Sequence, residues 1–256
     1  MGFTNSKLVN YTKISPNKTE NRNHTIDTVT IHCAVGQVSV QTLGKIFAPE
    51  SRKASSNYGI GYDGSIGMYV EEKDRSWCTS SSSNDHRAIT IEVACDPTAP
   101  YAVNAKAYAS LINLLVDICE RNHIKKLKWR ADKSLIGQVS KQNMTVHRWF
   151  SATECPGEYL YNRMGVIAAE VNKQLSVKNT SDASKADESK SYKVKVTASA
   201  LNVRKGPGMN YDIVERIRDK GVYTIIDESA GKGSDKGWGK LKSGAGWISL
   251  DHVKKI

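Results

Sequence analysis

The sequence predicts an α/β domain, with a central mixed β-sheet flanked by helices, followed by a small all-β barrel. Two observations predict the first part: β-branched apolar runs typical of strands alternate with stretches of helical periodicity. A third observation predicts the barrel, because the last part of the chain shows only short strand patterns separated by Gly-rich turns. Strands mixed with covering helices are typical of an α/β domain.

Three segments of the first part have strand patterns. Residues 28–35, "TVTIHCAV", and residues 87–94, "RAITIEVA", are rich in β-branched residues, which favour strands. Residues 56–70, "SNYGIGYDGSIGMYV", predict a hairpin in which Asp63 and Gly64 supply the turn.

Two segments predict helices. The stretch from Asn104 to Asn122 has the apolar spacing of an amphipathic helix, and Asn104 is a suitable N-cap. The apolar positions of that helix are Ala107, Leu111, Leu114, Leu115 and Ile118. Residues 157–175 predict a second helix that closes the domain.

A polar segment divides the chain. Residues 176–191 are rich in Ser, Lys, Asp and Ala, carry no net charge and contain too little apolar surface to pack. We therefore expect a flexible linker between a larger domain at residues 1–175 and a smaller domain at residues 192–256. Residues 192–256 hold 13 Lys+Arg and 7 Asp+Glu, a net charge of +6, which leaves +5 of the total +11 for residues 1–175.

The composition is that of a globular protein, with 39% hydrophobic and 25% charged residues. No run approaches the roughly 20 apolar residues of a membrane span, and the first residues contain no apolar signal core. We therefore expect synthesis in the cytoplasm without a signal peptide and no stable membrane association.

Five cysteines without regular spacing favour a reduced compartment over a disulfide framework. The positive charge predicts an anionic partner, with nucleic acid, a membrane surface and a bacterial cell wall as candidates.

Two histidines and one cysteine are candidate metal ligands. His147 and Cys155 flank the short stretch "HRWFSATEC", and His32 lies in the strand pattern "TVTIHCAV". A catalytic zinc takes three protein ligands and keeps one position for water, which this set fits. Since neighbours on a strand point to opposite faces, a His32 that faces the site sends Cys33 into the apolar layer. The other cysteines are interpreted in the same way, as small buried hydrophobic residues: Cys78, Cys95 and Cys119.

The ordered motifs "TIHCA", "ITIEVA" and "HRWFSATECPG" resemble the zinc-dependent N-acetylmuramoyl-L-alanine amidases, which include phage lysins, bacterial autolysins and peptidoglycan-recognition proteins. The resemblance covers roughly residues 20–175, and the His…Cys-Pro-Gly element is its most specific part. It implies that His32, His147 and Cys155 bind Zn²⁺. It also implies that Glu92 is the general base, which takes a proton from water activated by the zinc. A structural ion pair is the alternative role for this glutamate.

The sequence departs from some phage members of the family at two positions. Those members have a tyrosine before the hairpin and a lysine two residues before the cysteine ligand, where this chain has Ser56 and Thr153. The departure moves the expected proton transfer onto Glu92, and Thr153 becomes a candidate donor to the oxyanion. Glu154 is expected to point to solvent. His86 either borders the cleft or is merely exposed on a polar loop.

The last part of the chain resembles a bacterial SH3 domain through "LNVRKGPG", "GWGKL" and "GWISLDHV". Such modules accompany wall hydrolases and hold them to peptidoglycan. Trp238, Trp247 and Tyr211 are candidates for a binding face, with packing in the barrel core as the alternative. Trp149, in the first domain, is likewise either a groove residue or a core residue.

Together these features predict a peptidoglycan hydrolase that cleaves the amide between N-acetylmuramic acid and L-alanine, stored as a phage or prophage endolysin until a holin opens the membrane. A host autolysin, a recycling amidase for soluble muropeptides and a non-catalytic recognition protein are the alternatives. The expected partner is peptidoglycan and not nucleic acid, because a nucleic-acid binder would explain the charge but not the His, Cys and Glu pattern.

Overall fold

Two compact units make up the protein in the computed structural model, which describes residues 2–189 and 191–256, with the backbone alone for residues 178–189. The units are Met1–Val177 and Lys178–Ile256. Among the described residues, no helix is both long and apolar enough to cross a membrane.

A six-stranded mixed sheet forms the centre of the first unit, with the strand order β1-β5-β4-β7-β3-β8. Its strands are β1 (Tyr11–Thr12), β3 (Thr28–Val35), β4 (Tyr58–Ile60), β5 (Ile66–Met68), β7 (Ala88–Cys95) and β8 (Met144–Thr145), and a separate pair consists of β2 (Lys18–Thr19) and β6 (Arg75–Ser76). Strand β7 pairs in parallel with β3 and β4, whereas β4 and β5 form the antiparallel hairpin. The predicted strands and the hairpin are therefore confirmed.

The described part of the chain contains five α-helices: α1 (Val40–Phe47), α2 (Ser82–Arg87), α3 (Ala105–Arg121), α4 (Gly157–Tyr161) and α5 (Met164–Ser189). Helix α3 begins as predicted, because the Asn104 side chain accepts a hydrogen bond of 2.9 Å from the Ala107 N–H. All five apolar positions predicted for α3 are buried. They pack with one face of the sheet, which includes Ile89, Ile91 and Val93 of β7, and so form the main core.

The opposite face of the sheet has a smaller apolar cover. Leu43 and Phe47 of α1 pack with Tyr69, and this cluster contacts Ala34 near the end of β3. Helix α1 begins at an N-cap, Ser39, whose side chain accepts a hydrogen bond from the Thr42 N–H. Most of this face is therefore left to polar side chains.

The single closing helix predicted for residues 157–175 is wrong in one respect, because two helices occupy this region. Helix α4 ends at Tyr161, and the chain turns before α5 begins at Met164. The turn allows Leu160 of α4 and Ile167 of α5 to pack in the same core.

The predicted linker is helical over most of its length, since α5 continues to Ser189. The polar composition of residues 176–191 indicates little burial, but the segment also lacks Gly and Pro, which would end a helix. The boundary between the two units falls after Val177, close to the expected end of the first domain. Flexibility of the linker stays a prediction.

Beyond the end of α5, residues 192–256 of the second unit form the predicted β-domain, with one antiparallel seven-stranded sheet in the order β11-β10-β14-β13-β12-β9-β15. Its strands are β9 (Tyr192–Val196), β10 (Leu201–Arg204), β11 (Ile213–Ile217), β12 (Val222–Ser229), β13 (Trp238–Leu241), β14 (Trp247–Ser249) and β15 (Val253–Lys255). Val203, Ile225 and Ile248 are fully buried in its core. This arrangement fits an SH3-like domain.

Candidate metal centre and active site

The parallel register of the central strands places two predicted site residues side by side. His32 of β3 is paired with Glu92 of β7, and Glu92 is paired with Gly59 of β4. Paired residues on neighbouring strands point to the same face of a sheet. His32 and Glu92 therefore share the polar face, opposite the main core, and His32 is fully buried there.

The other two predicted ligands come from the segment that follows β8. His147 begins a short 3-10 helix, His147–Trp149, and its ring centroid lies 5.1 Å from that of His32. The Cys155 Sγ lies 3.4 Å from the His32 Nδ1. Ligand atoms of these three residues all lie within 4.8 Å of one another, so the structure brings the three predicted ligands together.

Backbone hydrogen bonds hold the segment between the two ligands in a tight loop. The Arg148 N–H donates to the Cys155 carbonyl, and the Phe150 N–H donates to the His147 carbonyl. Trp149 is only 7% exposed and stacks in parallel on Trp129, with ring centroids 5.0 Å apart. Of the two roles considered for Trp149, packing in the core is the one that the structure shows.

The three ligands form a donor set that fits zinc. Burial, and then the neighbouring His147, lower the pKa of His32 to about 3, and burial also lowers the pKa of His147. Both imidazoles are therefore neutral at neutral pH and can donate a lone pair to a metal. Within the described part of the chain, the Nε2 atoms of His32 and His147 are buried without a hydrogen-bond partner, which is costly for polar atoms unless a ligand satisfies them. Two neutral imidazoles and a thiol are a donor set that zinc prefers.

Glu92 lies beside this cluster in a poorly solvated position. Its side chain is 17% exposed, and its Oε1 is 3.9 Å from the His32 Nδ1. Burial raises the pKa of this carboxyl group from 4.5 to about 7, although Arg52 and the hydrogen bond from Cys78 oppose the rise. A carboxyl group with this pKa can accept and release a proton near neutral pH.

Thr153 lies on the exposed loop next to the ligand Cys155. Its Oγ1 accepts a hydrogen bond of 3.2 Å from the Cys155 N–H, which fixes the oxygen and leaves the hydroxyl hydrogen to donate elsewhere. Thr153 also lines a surface cavity of about 340 Å³, together with Tyr101 and Arg148. Glu154 is exposed, as expected, and its carboxylate accepts a hydrogen bond from the Tyr101 hydroxyl.

Comparison with known protein families identifies this domain. The profile of the N-acetylmuramoyl-L-alanine amidase family matches residues 22–158, a range that contains the three clustered ligands and Glu92. The chain belongs to this family. No curated protein sequence matches the chain.

Solved structures similar to this chain include an endolysin, an N-acetylmuramoyl-L-alanine amidase and a recognition protein. A mutant endolysin from Bacillus subtilis is 20% identical, with 64% of this chain and 99% of that chain covered and a TM-score of 0.43. The N-acetylmuramoyl-L-alanine amidase LysC from Clostridium intestinale is 20% identical, covering 66% and 99% of the two chains, with a TM-score of 0.44. Peptidoglycan recognition protein-LE in complex with tracheal cytotoxin is 18% identical, with a TM-score of 0.41, and the match covers 61% of this chain and 88% of that chain.

Cys78 lies in the candidate site, at a position that the sequence pattern did not indicate. Interpreted from the sequence as a buried hydrophobic residue, it instead lies beside the carboxylate of Glu92, with its Sγ donating to Oε1 at 3.9 Å. Potential metal-ligand atoms of His32, Cys78 and Glu92 form a second group, in which all three atoms lie within 4.8 Å of one another. Asp85 fixes this loop, since its Oδ2 accepts hydrogen bonds from the N–H groups of Cys78 and Thr79. No local pattern in the sequence signals this position, because the loop has no periodicity and reaches the site only through tertiary contacts.

The remaining cysteines of the amidase occupy different environments. Cys95 and Cys119 are buried in the main core, as predicted. Cys33 is only half-buried, at the edge of that core, and the adjacent Cys155 side chain raises the pKa of its thiol to about 12. Cys33 therefore packs against the core and also flanks the metal cluster.

Two further candidates lie outside the cluster of ligands. Ser56 is fully buried and donates a hydrogen bond from its Oγ to the Tyr58 carbonyl, so its hydroxyl is already used within the fold. His86 lies in the last turn of α2, where its Nδ1 accepts a hydrogen bond from the Asn23 N–H. Neither residue belongs to a group of metal-ligand atoms within the described chain.

The candidate binding residues of the SH3-like unit are divided between core and surface. Trp238 is 2% exposed, so packing in the core is its role. Trp247 is half-buried, with the Lys240 Nζ 5.9 Å from its ring centroid. Tyr211 is 43% exposed. One side of its ring packs closely on Gly206, since a Cβ atom added to Gly206 would lie only 2.6 Å from the ring. Tyr211 is therefore the most accessible of the three aromatic residues.

Proposed function

We propose that this protein is a zinc-dependent amidase that hydrolyses the bond between N-acetylmuramic acid and the L-alanine of the stem peptide in peptidoglycan. The observation that carries the proposal is the convergence of His32, His147 and Cys155, beside the buried carboxyl group of Glu92, in a domain of the N-acetylmuramoyl-L-alanine amidase family.

We assign the metal to His32, His147 and Cys155, which approach one another from two distant parts of the chain. Three protein ligands match the catalytic type of zinc site, in which a further position stays open. When bound, zinc supplies Lewis-acid chemistry, which lowers the pKa of water toward neutrality and stabilises negative charge on a carbonyl oxygen.

Glu92 acts as the proton carrier in this proposal. Its carboxylate takes a proton from the water that attacks the lactyl carbonyl, and the same carboxyl group returns that proton to the leaving amine of L-alanine. The poorly solvated position supports this role because it brings the pKa of the group close to neutrality. Accepting and releasing a proton in one cycle both require such a value.

Thr153 supplies a hydrogen-bond donor to the same reaction. Its oxygen is held by the Cys155 N–H, so the hydroxyl hydrogen can point to the negatively charged oxygen that develops on the carbonyl. The neighbouring cavity, lined by Tyr101 and Arg148, is a candidate place for the stem peptide.

The SH3-like unit at residues 192–256 holds the enzyme to the wall in this proposal, with residues 176–191 as the linker. Its net charge of +6 supports attraction to an anionic wall, and the exposed ring of Tyr211 offers a contact surface. A catalytic unit joined to a wall-binding unit suits an endolysin of a phage or prophage, which is the biological role that we propose.

Digestion of purified cell walls tests the proposed reaction. The amidase should release new α-amino groups on L-alanine without new reducing sugar ends, and a chelator should stop the release until zinc is added back. New reducing ends would instead show a glycosidase. Unchanged hydrolysis in metal-free protein would show that the reaction needs no metal.

A further inference from the structure

A second concave surface lies in the first unit, apart from the ligands of the metal cluster. It has a volume of about 560 Å³ and is formed by residues 126–130, residues 140–141 and one side of α5. We call this surface the basic groove. No residue of the metal cluster lines it, and nothing in the proposed reaction uses it.

Four cations line the basic groove, namely Lys126, Lys128, Arg130 and Lys141. No carboxylate side chain is among the described residues that line it. The Lys128 Nζ donates to the Ser140 carbonyl, and the Lys141 Nζ donates to the Gln138 side chain, so each ammonium group contacts a neutral acceptor and keeps its charge uncompensated. Lys126 and Arg130 have no ion-pair partner within the described chain. The groove therefore concentrates positive charge that no described residue of its lining balances.

The backbone that carries these cations is fixed before any ligand binds. Asn172 of α5 forms two hydrogen bonds of 2.8 Å with the backbone of Leu127, one from its Nδ2 to the carbonyl and one from the N–H to its Oδ1. The Lys128 N–H donates to the buried Asn143 side chain at 2.8 Å. Because the wall of the groove is held from both sides, a ligand needs to order only the ends of the cationic side chains, which lowers the entropic cost of binding.

The first turn of α5 adds to the positive potential. Gly165 lies in this turn and lines the groove, and the N-terminal end of a helix carries a partial positive charge from its unpaired N–H groups. Because Gly165 has no side chain, a ligand can approach this part of the helix closely.

The shape of the groove favours a polyol phosphate over a nucleic acid. Single-stranded nucleic acids bind to rows of aromatic side chains on which successive bases stack. The groove has one aromatic residue, Trp129, and one face of its ring is covered by Trp149 at 5.0 Å. Small residues of α5, including Gly165 and Ala168, also line it and suit a thin chain without bases.

We propose that the basic groove binds a polyol phosphate chain, the kind of phosphodiester polymer that bacterial walls carry beside peptidoglycan. The four cations contact successive phosphate groups, and the small residues of the lining accommodate the polyol between them. The groove thus gives the catalytic unit its own binding site for the wall, in addition to the one proposed for the SH3-like unit. The choice of a wall polymer rests on the proposed function, whereas the anion-binding chemistry follows from the groove itself.

Lysine footprinting on the full-length protein tests the site directly. The protein is acetylated at low ionic strength with and without a glycerol-phosphate oligomer, and the modified lysines are measured by mass spectrometry. Protection should be confined to Lys126, Lys128 and Lys141. Exposed lysines elsewhere in the first unit serve as internal controls and should stay reactive: Lys7, Lys13, Lys45 and Lys106. Equal protection of both groups would overturn the proposal.

A pair of charge-matched variants tests what the groove contributes to wall binding. One variant carries Lys126→Gln, Lys128→Gln, Arg130→Gln and Lys141→Gln, and the other carries Lys7→Gln, Lys13→Gln, Lys45→Gln and Lys106→Gln. Both lose the same four charges and keep the SH3-like unit. Sedimentation with walls should show at least about tenfold weaker binding for the groove variant and less than about twofold for the control, since scattered exposed charges contribute little. On walls from which hydrofluoric acid has removed the polyol phosphate, the two variants should bind equally.

Three results would contradict the inference. Wild-type binding by the groove variant would show that the groove does not hold the wall, and equal losses in both variants would show non-specific charge attraction. Stronger protection by single-stranded DNA than by the glycerol-phosphate oligomer would assign the groove to nucleic acid. Hydrolysis of a small soluble muropeptide should be normal in both variants, which shows that they fold. If the wild-type protein fails to hydrolyse it, the proposed reaction is wrong, and the footprint still reports on the groove.

Discussion

Glu92→Gln separates the chemical role of this carboxyl group from its effect on the fold. The substitution replaces one oxygen by an amide nitrogen of nearly the same size, in a position where the side chain is 17% exposed. An amide cannot take a proton from water, so we expect hydrolysis of a soluble muropeptide to fall by about 10²–10⁴, the usual contribution of a general base. Zinc content should not change, because Glu92 is not one of the three assigned ligands.

The same substitution should stabilise the metal-free protein at alkaline pH. Burial raises the pKa of Glu92 from 4.5 to about 7, so between these values the folded state binds more protons than the unfolded state. The free energy of unfolding of the wild type therefore decreases as the pH rises from 4.5 to 7 and stays lower above that range. At 1.36 kcal/mol for each pH unit, the decrease amounts to at most about 3.4 kcal/mol. Glutamine does not ionise, so the variant should avoid this decrease.

Urea unfolding of chelator-treated proteins at pH 4 and pH 8 measures this difference. The two proteins should have similar stability at pH 4, and the variant should be the more stable one at pH 8. Glu50→Gln is the matched control, since it removes an exposed carboxylate that does not line the cavity beside Thr153 and should leave both activity and pH dependence nearly unchanged. Near-normal turnover of Glu92→Gln would refute the role as general base. A variant less stable than the wild type at pH 8 would show instead that the carboxylate forms a stabilising ion pair.

Three further predictions concern the metal, the two units and the fold. His147→Ala should lose bound zinc, measured by metal analysis, together with lytic activity, and full zinc occupancy would contradict the ligand assignment. A chain that ends at Val177 should hydrolyse a soluble muropeptide at the normal rate but bind walls about 10²–10⁴ more weakly, and unchanged lysis would argue against wall binding by the second unit. The Arg121 guanidinium lies 2.6 Å from the carboxylate of Glu72, which is fully buried. Arg121→Met should lower the free energy of unfolding by about 3 kcal/mol in urea titrations, because it leaves this buried carboxylate without its ion-pair partner. The exposed Lys73→Met is its control and should change stability little, whereas equal effects would refute the argument from burial.

The sequence by itself determined the elements whose patterns are local. Alternation and β-branched residues define Thr28–Val35 and Ala88–Cys95, and the helical spacing with an Asn104 cap defines Ala105–Arg121. The order of motifs also indicated that His32, His147 and Cys155 belong together, although the spacing alone left that grouping open. These features are readable because each depends on residues a few positions apart, or on a family pattern that keeps its order along the chain.

Tertiary structure alone decided the features that depend on which distant segments meet. The register of β3 against β7 places His32 beside Glu92, and the loop held by Asp85 brings Cys78 to the same carboxylate. In the basic groove, Asn172 of α5 and Asn143 hold the backbone of Leu127 and Lys128 through hydrogen bonds between distant parts of the chain. Composition likewise indicated that residues 176–191 bury little, but not that their backbone continues a helix. Local patterns determine which face of an element a side chain occupies. Which residue it meets on that face depends on long-range packing and hydrogen bonds, and a short stretch of sequence does not specify these.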